Sequence, residues 1–324
     1  MKSLRNSCLL ALCALGIGIG SAVAQSFPTK TMRWVVAYPP GGGTDILART
    51  IGAQLSRQLN QPVVIDNRPG GAGIIGAENV ARSAPDGYTL FTGDNGTLIY
   101  NVALYKTLPY NPAKDFSSVS MLGRFPLVLL TNNSSPFASA RDLIDQAKRH
   151  PGKLSYASPG VGSPHHLAME LLKQEAGVFV LHVPYRGSGG AIQDLIGGQI
   201  DLFVADSAAA LPMIKGGKVR PLAVFSSQRS VSFPQVPTWV ELGYQKVQAY
   251  GWQGMVVPAG TPREVTSTLN RELGVALRSP EVAQRLADFG VELIPGTPQE
   301  MASFMELEAG VWQRLIRERG ITPD

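Results

Sequence analysis

The run Trp34-Val35-Val36-Ala37-Tyr38, followed by Pro39-Pro40-Gly41-Gly42-Gly43-Thr44-Asp45, leaves this chain few options. The apolar run has strand character and two prolines stop it. Beyond the glycines, Leu47, Ile51, Leu55 and Leu59 recur at helical spacing. A strand, a glycine-rich turn and a helix start point unpaired backbone N–H groups outward at the positive end of a helix dipole. Such a turn seats an anion. Asp45 suits the dipole but would repel a bound carboxylate, so it reads as a brace for the loop.

The same rhythm recurs along the chain. Strands are expected at Thr31–Tyr38, Val63–Ile65 and Tyr88–Thr92, alternating with helices at Thr44–Leu59 and up to Arg82. Met121–Thr131 is apolar enough for a buried strand. A second βα series follows, with strands at Leu154–Ala157, Val178–Val183, Ile200–Ala205 and Val219–Val224. Its exit loops include Ser158-Pro159-Gly160-Val161-Gly162-Ser163 and Tyr185-Arg186-Gly187-Ser188, while Asp206-Ser207 caps a helix. A strand near Met255–Val257 and helices at Pro262–Arg278, Glu281–Phe289 and Pro298–Arg319 complete the chain. Alternation of this kind argues for parallel βαβ units with exit loops gathered on one sheet edge, where open α/β sheets bind ligands. Two glycine- and serine-rich seats, at Gly41–Thr44 and Gly160–Ser163, could grip a small acid across a cleft.

The N-terminus carries an address. Lys2 and Arg5 precede a mostly apolar stretch, and Ala22-Val23-Ala24 is a small-x-small cleavage signal. Residues 1–24 therefore read as a secretory signal peptide. Both cysteines, Cys8 and Cys13, leave with it, so no disulfide, thiolate nucleophile or cysteine metal site is expected afterwards. A bacterial periplasm is the natural compartment. Removing Lys2 and Arg5 lowers the formal charge of +5 by two, and the remaining basic residues are scattered. Nucleic acid is not an expected partner.

Enzyme chemistry finds little support. There is no G-x-S-x-G elbow and no Walker motif. His165 and His166 are adjacent and cannot share a helix face as metal ligands do. Gly71-Ala72-Gly73-Ile74-Ile75-Gly76 matches the dinucleotide pattern, but Arg68-Pro69-Gly70 separates it from its strand. A glycine-eased turn with close helix packing accounts for it. Neither metal nor cofactor is expected. An exported enzyme acting on a carboxylate, with His166 as base and Tyr185 or Asp206 assisting, is the competing reading. A sensory receptor for the same ligand is a third.

Six ordered segments carry a family resemblance: Tyr38–Asp45, Asn67–Gly70, Pro85–Leu90, Tyr156–Ser163, Val183–Ser188 and Pro258–Pro262. Together they resemble the substrate-binding proteins of tripartite tricarboxylate transporters, also called Bug receptors. The resemblance implies an α/β, two-domain periplasmic-binding-protein (Venus flytrap) fold. Each domain would be a mostly parallel sheet flanked by helices, with the ligand cleft between them. It implies domain 1 at residues 25–129 and 226–324 and domain 2 at 130–225, with crossings within Met121–Thr131 and Val219–Ser227. The ligand would be a small organic acid and the partners membrane permease subunits, with the receptor a monomer. Carried over by matching segments, the domain 1 lining is Tyr38, Gly42, Gly43, Thr44, Asp45, Asn95, Gly96 and Thr97. The domain 2 lining is Ser158, Gly160, Ser163, His166, Tyr185 and Asp206. One departure is Asn101-Val102-Ala103-Leu104-Tyr105. It lacks a proline common in the family, which is expected to free the chain after the Asn95 loop.

Overall fold

The computed structural model describes residues 27–323. The expected signal peptide and its cleavage point lie outside the described residues. Strand β1 (Met32–Val36) leads to α1 (Gly43–Leu59), β2 (Val63–Asn67), α2 (Ile74–Ala81) and β3 (Thr89–Asp94). A π-helical turn at Asn95–Tyr100 runs into α3 (Asn101–Leu104) and α4 (Pro112–Asp115). Then come β4 (Phe116–Asn132), α5 (Ala140–Arg149), β5 (Ser155–Ser158), α6 (Pro164–Ala176), β6 (Leu181–Pro184) and α7 (Ser188–Ile196). The chain continues through β7 (Leu202–Asp206), α8 (Ser207–Lys215), β8 (Val219–Val224) and β9 (Tyr250–Pro258). It ends with α9 (Arg263–Leu277), α10 (Pro280–Asp288), β10 (Glu292–Leu293) and α11 (Pro298–Glu318).

The long β4 strand joins two sheets. Its first part, through Pro126, pairs antiparallel with β9, and from Leu127 it pairs with β7 and β8. The strand order is β2-β1-β3-β9-β4-β7-β5-β6. Strands built by βα units pair in parallel, β1 with β2 and β3, and β5 with β6 and β7. β9 pairs antiparallel with β3 and β4 within the first sheet, while β4 continues into the second.

Burial follows from this layering. In β1, Trp34 and Val36 face a cluster with Leu47, Ile51 and Leu55 of α1 and Leu269 and Leu273 of α9. Val35 faces the opposite cluster with Ala77, Val80 and Phe91. Alternate residues thus point to opposite faces, as strand geometry demands, and both faces are covered by helices. The 71–76 motif is a packing device. A Cβ at Gly76 would stand 2.9 Å from Ala37 Cβ and 3.1 Å from the Arg68 carbonyl oxygen, so glycine lets α2 lie against the β1 exit.

Two expectations need correction. The strand expected near Met255–Val257 begins at Tyr250, because Gly251, Gln253 and Gly254 interrupt its apolar pattern without interrupting its pairing. The segment after Asn95 is not freed by its missing proline. It is helical through Leu104, and Asn101 Nδ2 ties it to the Ala72 carbonyl at 3.1 Å.

Candidate functional site

Three helices of ordinary length, one from the first sheet and two from the second, begin at the same cavity. Its volume is about 210 Å³. Gly43 and Thr44 of α1, Pro164 and His165 of α6, and Asp206 and Ala208 at the start of α8 line it. Asp94 and Asn95 from the β3 exit, Phe125 of β4, and Gly251, Trp252 and Gln253 of β9 close it. β4 and its neighbour β9 supply the floor, and exit loops of both sheets supply the walls.

The helix starts are not equivalent. Ser163 Oγ caps α6 by accepting from His166 N–H at 3.2 Å, and Asp206 Oδ1 caps α8 by accepting from Ala209 N–H at 2.9 Å. Gly42, the N-cap of α1, offers no side chain. The first-turn N–H groups of α1 therefore stay open to a ligand. Asp45 is 2% exposed and turned away from this opening. Its carboxylate accepts from Gly41 N–H, Arg49 Nε and Asn67 Nδ2, each at 2.9 Å. Burial alone would raise its pKa, but Arg49, Gly41 and Asn67 outweigh that and hold it below the usual carboxylate value.

Around the open seat the polar groups are fixed from behind. Tyr38 Oη donates to Asp94 Oδ2 at 2.5 Å, and Thr97 N–H and Oγ1 hold Asp94 Oδ1 at 2.9 and 2.8 Å. The Gly96 N–H also supports the Asp94 carboxylate, yet burial still leaves its pKa raised. Asn95 Oδ1 accepts from Trp252 N–H at 2.8 Å, clamping β9 in place. Gln253 Nε2 donates to Thr44 Oγ1 at 2.6 Å. Gln253 Oε1 and both ring nitrogens of His165 are buried and have no hydrogen-bond partner among the described residues. His165 Nε2 nevertheless lies 3.4 Å from Asp206 Oδ2. Burial would raise the Asp206 pKa, but His165 and the α8 N–H groups lower it on balance.

Of the residues expected from sequence, Gly43, Thr44, Asn95 and Asp206 line the cavity. Tyr38, Gly42, Asp45, Gly96, Thr97 and Ser163 stand behind it as caps and braces. Ser158, Gly160, His166 and Tyr185 are not among its lining. Ser158 Oγ donates to the Gly160 carbonyl and pairs with His182 Nε2 at 2.7 Å. Tyr185 Oη donates to Asp194 Oδ2 at 2.5 Å. His166 is 5% exposed and accepts from Gly162 N–H through Nδ1. Its neighbour His165 faces the cavity instead, since consecutive helix positions point about 100° apart. Phe125, Trp252 and Gln253 carried no sequence signal beyond a polar residue interrupting an apolar strand.

A larger hollow of about 610 Å³ lies between α11 and the 98–118 segment. Both helix starts at its rim are capped by their own side chains, α4 by Asn111 and α11 by the Thr297–Glu300 capping box.

Two sheets joined by β4, with helix starts from both turned onto one cavity, are the architecture of a two-domain periplasmic-binding-protein receptor. Residues 47–321 match the family described as tripartite tricarboxylate transporter family receptor, and the chain belongs to that family. Protein BugT of Bordetella pertussis is 38% identical over 317 residues, covering 96% of this chain and 97% of that one. An R. palustris protein solved with adipate is 36% identical, with TM-score 0.82 over 92% of this chain and 100% of its own. MatC from Rhodopseudomonas palustris with bound malate is 34% identical, with TM-score 0.77 over 90% of this chain and 100% of its own.

Proposed function

We propose that this chain captures a small carboxylate at the α1 start and delivers it to the permease subunits of a tripartite tricarboxylate-type transporter. The observation that carries this reading is the uncapped α1 N-terminus facing a cavity lined from both sheets. Open N–H groups and the helix dipole favour a carboxylate there without a cationic side chain. The relatives solved with adipate and with malate support it.

The receptor acts as a periplasmic monomer after removal of residues 1–24. Among the described residues no helix is long and apolar enough to cross a membrane. Residues 25–129 and 226–324 form one domain and 130–225 the other. The change of pairing at Pro126–Leu127 and the return through residues 225–250 are the natural hinge, and closure buries the ligand. The contact residues are those lining the cavity, with Ser158, Gly160, His166 and Tyr185 shaping its second-domain side from behind.

Thermal-shift and calorimetric titration of the purified receptor against a broad carboxylate panel, with neutral sugars as controls, tests this. An acid at 100 times its dissociation constant stabilises by about 2.7 kcal/mol. Stabilisation by a neutral sugar and by none of the acids overturns the reading.

A further inference from the structure

We propose that this receptor opens on one face only. The α6–α11 face stays packed as a fixed seam, and the α8 face, latched by Ser207 on the Gly290 carbonyl, parts to admit the ligand. This rests on the two-domain reading and does not depend on which ligand is captured.

The joined sheets carry different cores on their two faces. In β4, Leu127 and Leu129 point to one face and Val128 and Leu130 to the other. On the first face one apolar cluster runs through both sheets. It takes in Leu167, Leu171 and Leu172 of α6 and Trp312, Leu315 and Ile316 of α11. Arg319, just beyond α11, donates to Glu170 Oε2 of α6 at 2.9 Å. Gly162 lies so close to Leu104 that an added Cβ would stand 2.6 Å from its Cδ1. On the second face the apolar core is split. One part holds Leu47 of α1, Leu269 of α9 and Phe125 of β4. The other holds Ala191 of α7, Ala210 of α8 and Phe203 of β7.

Where the two parts meet, polar groups make the contact. Ser207, the buried first residue of α8, donates through Oγ to the Gly290 carbonyl at 2.7 Å. This approach requires glycine, since a Cβ at Gly290 would stand 2.7 Å from Ser207 Cβ. Ser230 Oγ, on the segment after β8, donates to Glu292 Oε1 at 3.1 Å, and Arg124 Nε holds the same carboxylate at 2.8 Å. The 290–292 turn is thus gripped by hydroxyls. Separating the α6–α11 seam would carry its leucines and Trp312 into water. Separating the turn releases hydroxyls and acceptors that water satisfies at little net cost. The weaker side is also the side that borders the cavity, because Asp206 and Ala208, the two chain neighbours of Ser207, line it.

Spin-label distance measurements on the purified receptor test the latch. Cys8 and Cys13 are the chain's only cysteines and leave with residues 1–24 in the reading above, so introduced cysteines take the labels. Lys215 of α8 and Gln284 of α10, both exposed, span the latch, and Lys153 and Ser303 of α11, also exposed, span the seam. In Ser207→Ala the ratio of long to short Lys215–Gln284 distances should rise about 2- to 10-fold, the worth of one hydrogen bond. In Ser207→Val, whose methyl groups crowd Gly290, it should rise further. The Lys153–Ser303 distance should match the wild type in both variants. Urea melts establish that each variant is folded, and should Ser207→Val not fold, Ser207→Ala decides. A ratio unchanged by Ser207→Ala overturns the latch and leaves the carboxylate reading standing. Equal lengthening across Lys153–Ser303 overturns the fixed seam. A single rigid distance for both pairs in every form overturns the latch together with the hinge closure proposed above.

Discussion

The imidazole rings of His166 and His182 lie face to face, 3.9 Å between centroids and 11° from parallel. Tyr156 stacks on His182 from the other side at 4.8 Å. Glu170 Oε1 lies 3.8 Å from His166 Nε2, and Lys173 is also near. Burial first, then His182, pushes the His166 pKa from 6.5 down to about 3, with Glu170 opposing and Lys173 adding to the fall. The unfolded chain therefore binds a proton that the native chain refuses. Stability must rise with pH between about 3 and 6.5 and fall on acidification through that window, by up to about 1.4 kcal/mol per pH unit from this group. In His166→Phe this share of the acid sensitivity is removed, which urea titrations at pH 4, 5 and 7 will read as a flatter profile.

Asp45 adds an acid sensitivity that an exposed, unpaired carboxylate lacks. Its pKa is held below 3.8, so its stabilising bonds are complete above that value and are lost as pH falls through the lower folded value. Asp45→Ala frees Gly41, Arg49 and Asn67 together. A loss of about 1.5–3 kcal/mol is expected, the range for hydrogen bonds to a charged group. Ligand affinity should weaken with it, because the first turn of α1 loses its brace. Chemical denaturation and calorimetry on the same variant check both effects.

Thr44 donates through both its N–H and its hydroxyl in the proposed site. Thr44→Val removes only the hydroxyl and should weaken carboxylate binding about tenfold. Thr44→Pro removes the N–H instead and distorts the helix start, so binding should be lost. Carboxylate affinity unchanged in both variants would place the ligand elsewhere.

A buried ion cluster fastens α6 to the chain terminus. Glu170 Oε1 accepts from Lys173 Nζ and from Tyr156 Oη at 2.8 Å, while Oε2 accepts from Arg319 Nη2 at 2.9 Å. Lys173 and Glu170 are each 5% exposed. Glu170→Leu strands a buried ammonium and should cost about 3–5 kcal/mol. Arg319→Ala should cost less, because its side chain is one-third exposed and the Lys173 pair survives. Urea melts of the two variants give the ranking, and equal losses would contradict it.

Much of the fold was legible because local chemistry wrote it. The strand–turn–helix of residues 34–59, the recurring βα rhythm and the capping residue Asp206 all follow from periodicity and turn composition. So does the brace role of Asp45, since an acid in a first turn has few other uses. Sequence alone places the strand that carries Gln253 only near Met255–Val257, because the glycines before it look like breakers. Gly254 is there for packing, as a Cβ would come 2.4 Å from Met301 Cε. That contact belongs to a helix more than forty residues on.

The sequence by itself determined two βα series with glycine-rich exits and, through its six ordered segments, the receptor family to which the chain belongs. Which side chains meet was decided only by the tertiary structure. His165 rather than His166 faces the cavity, and Gln253 reaches Thr44 across 209 residues of chain. The physical reason is that helix and strand periods are local, whereas the pairing of β4 with β9 and the helix rotation that aims each ring are set by packing between segments distant in sequence.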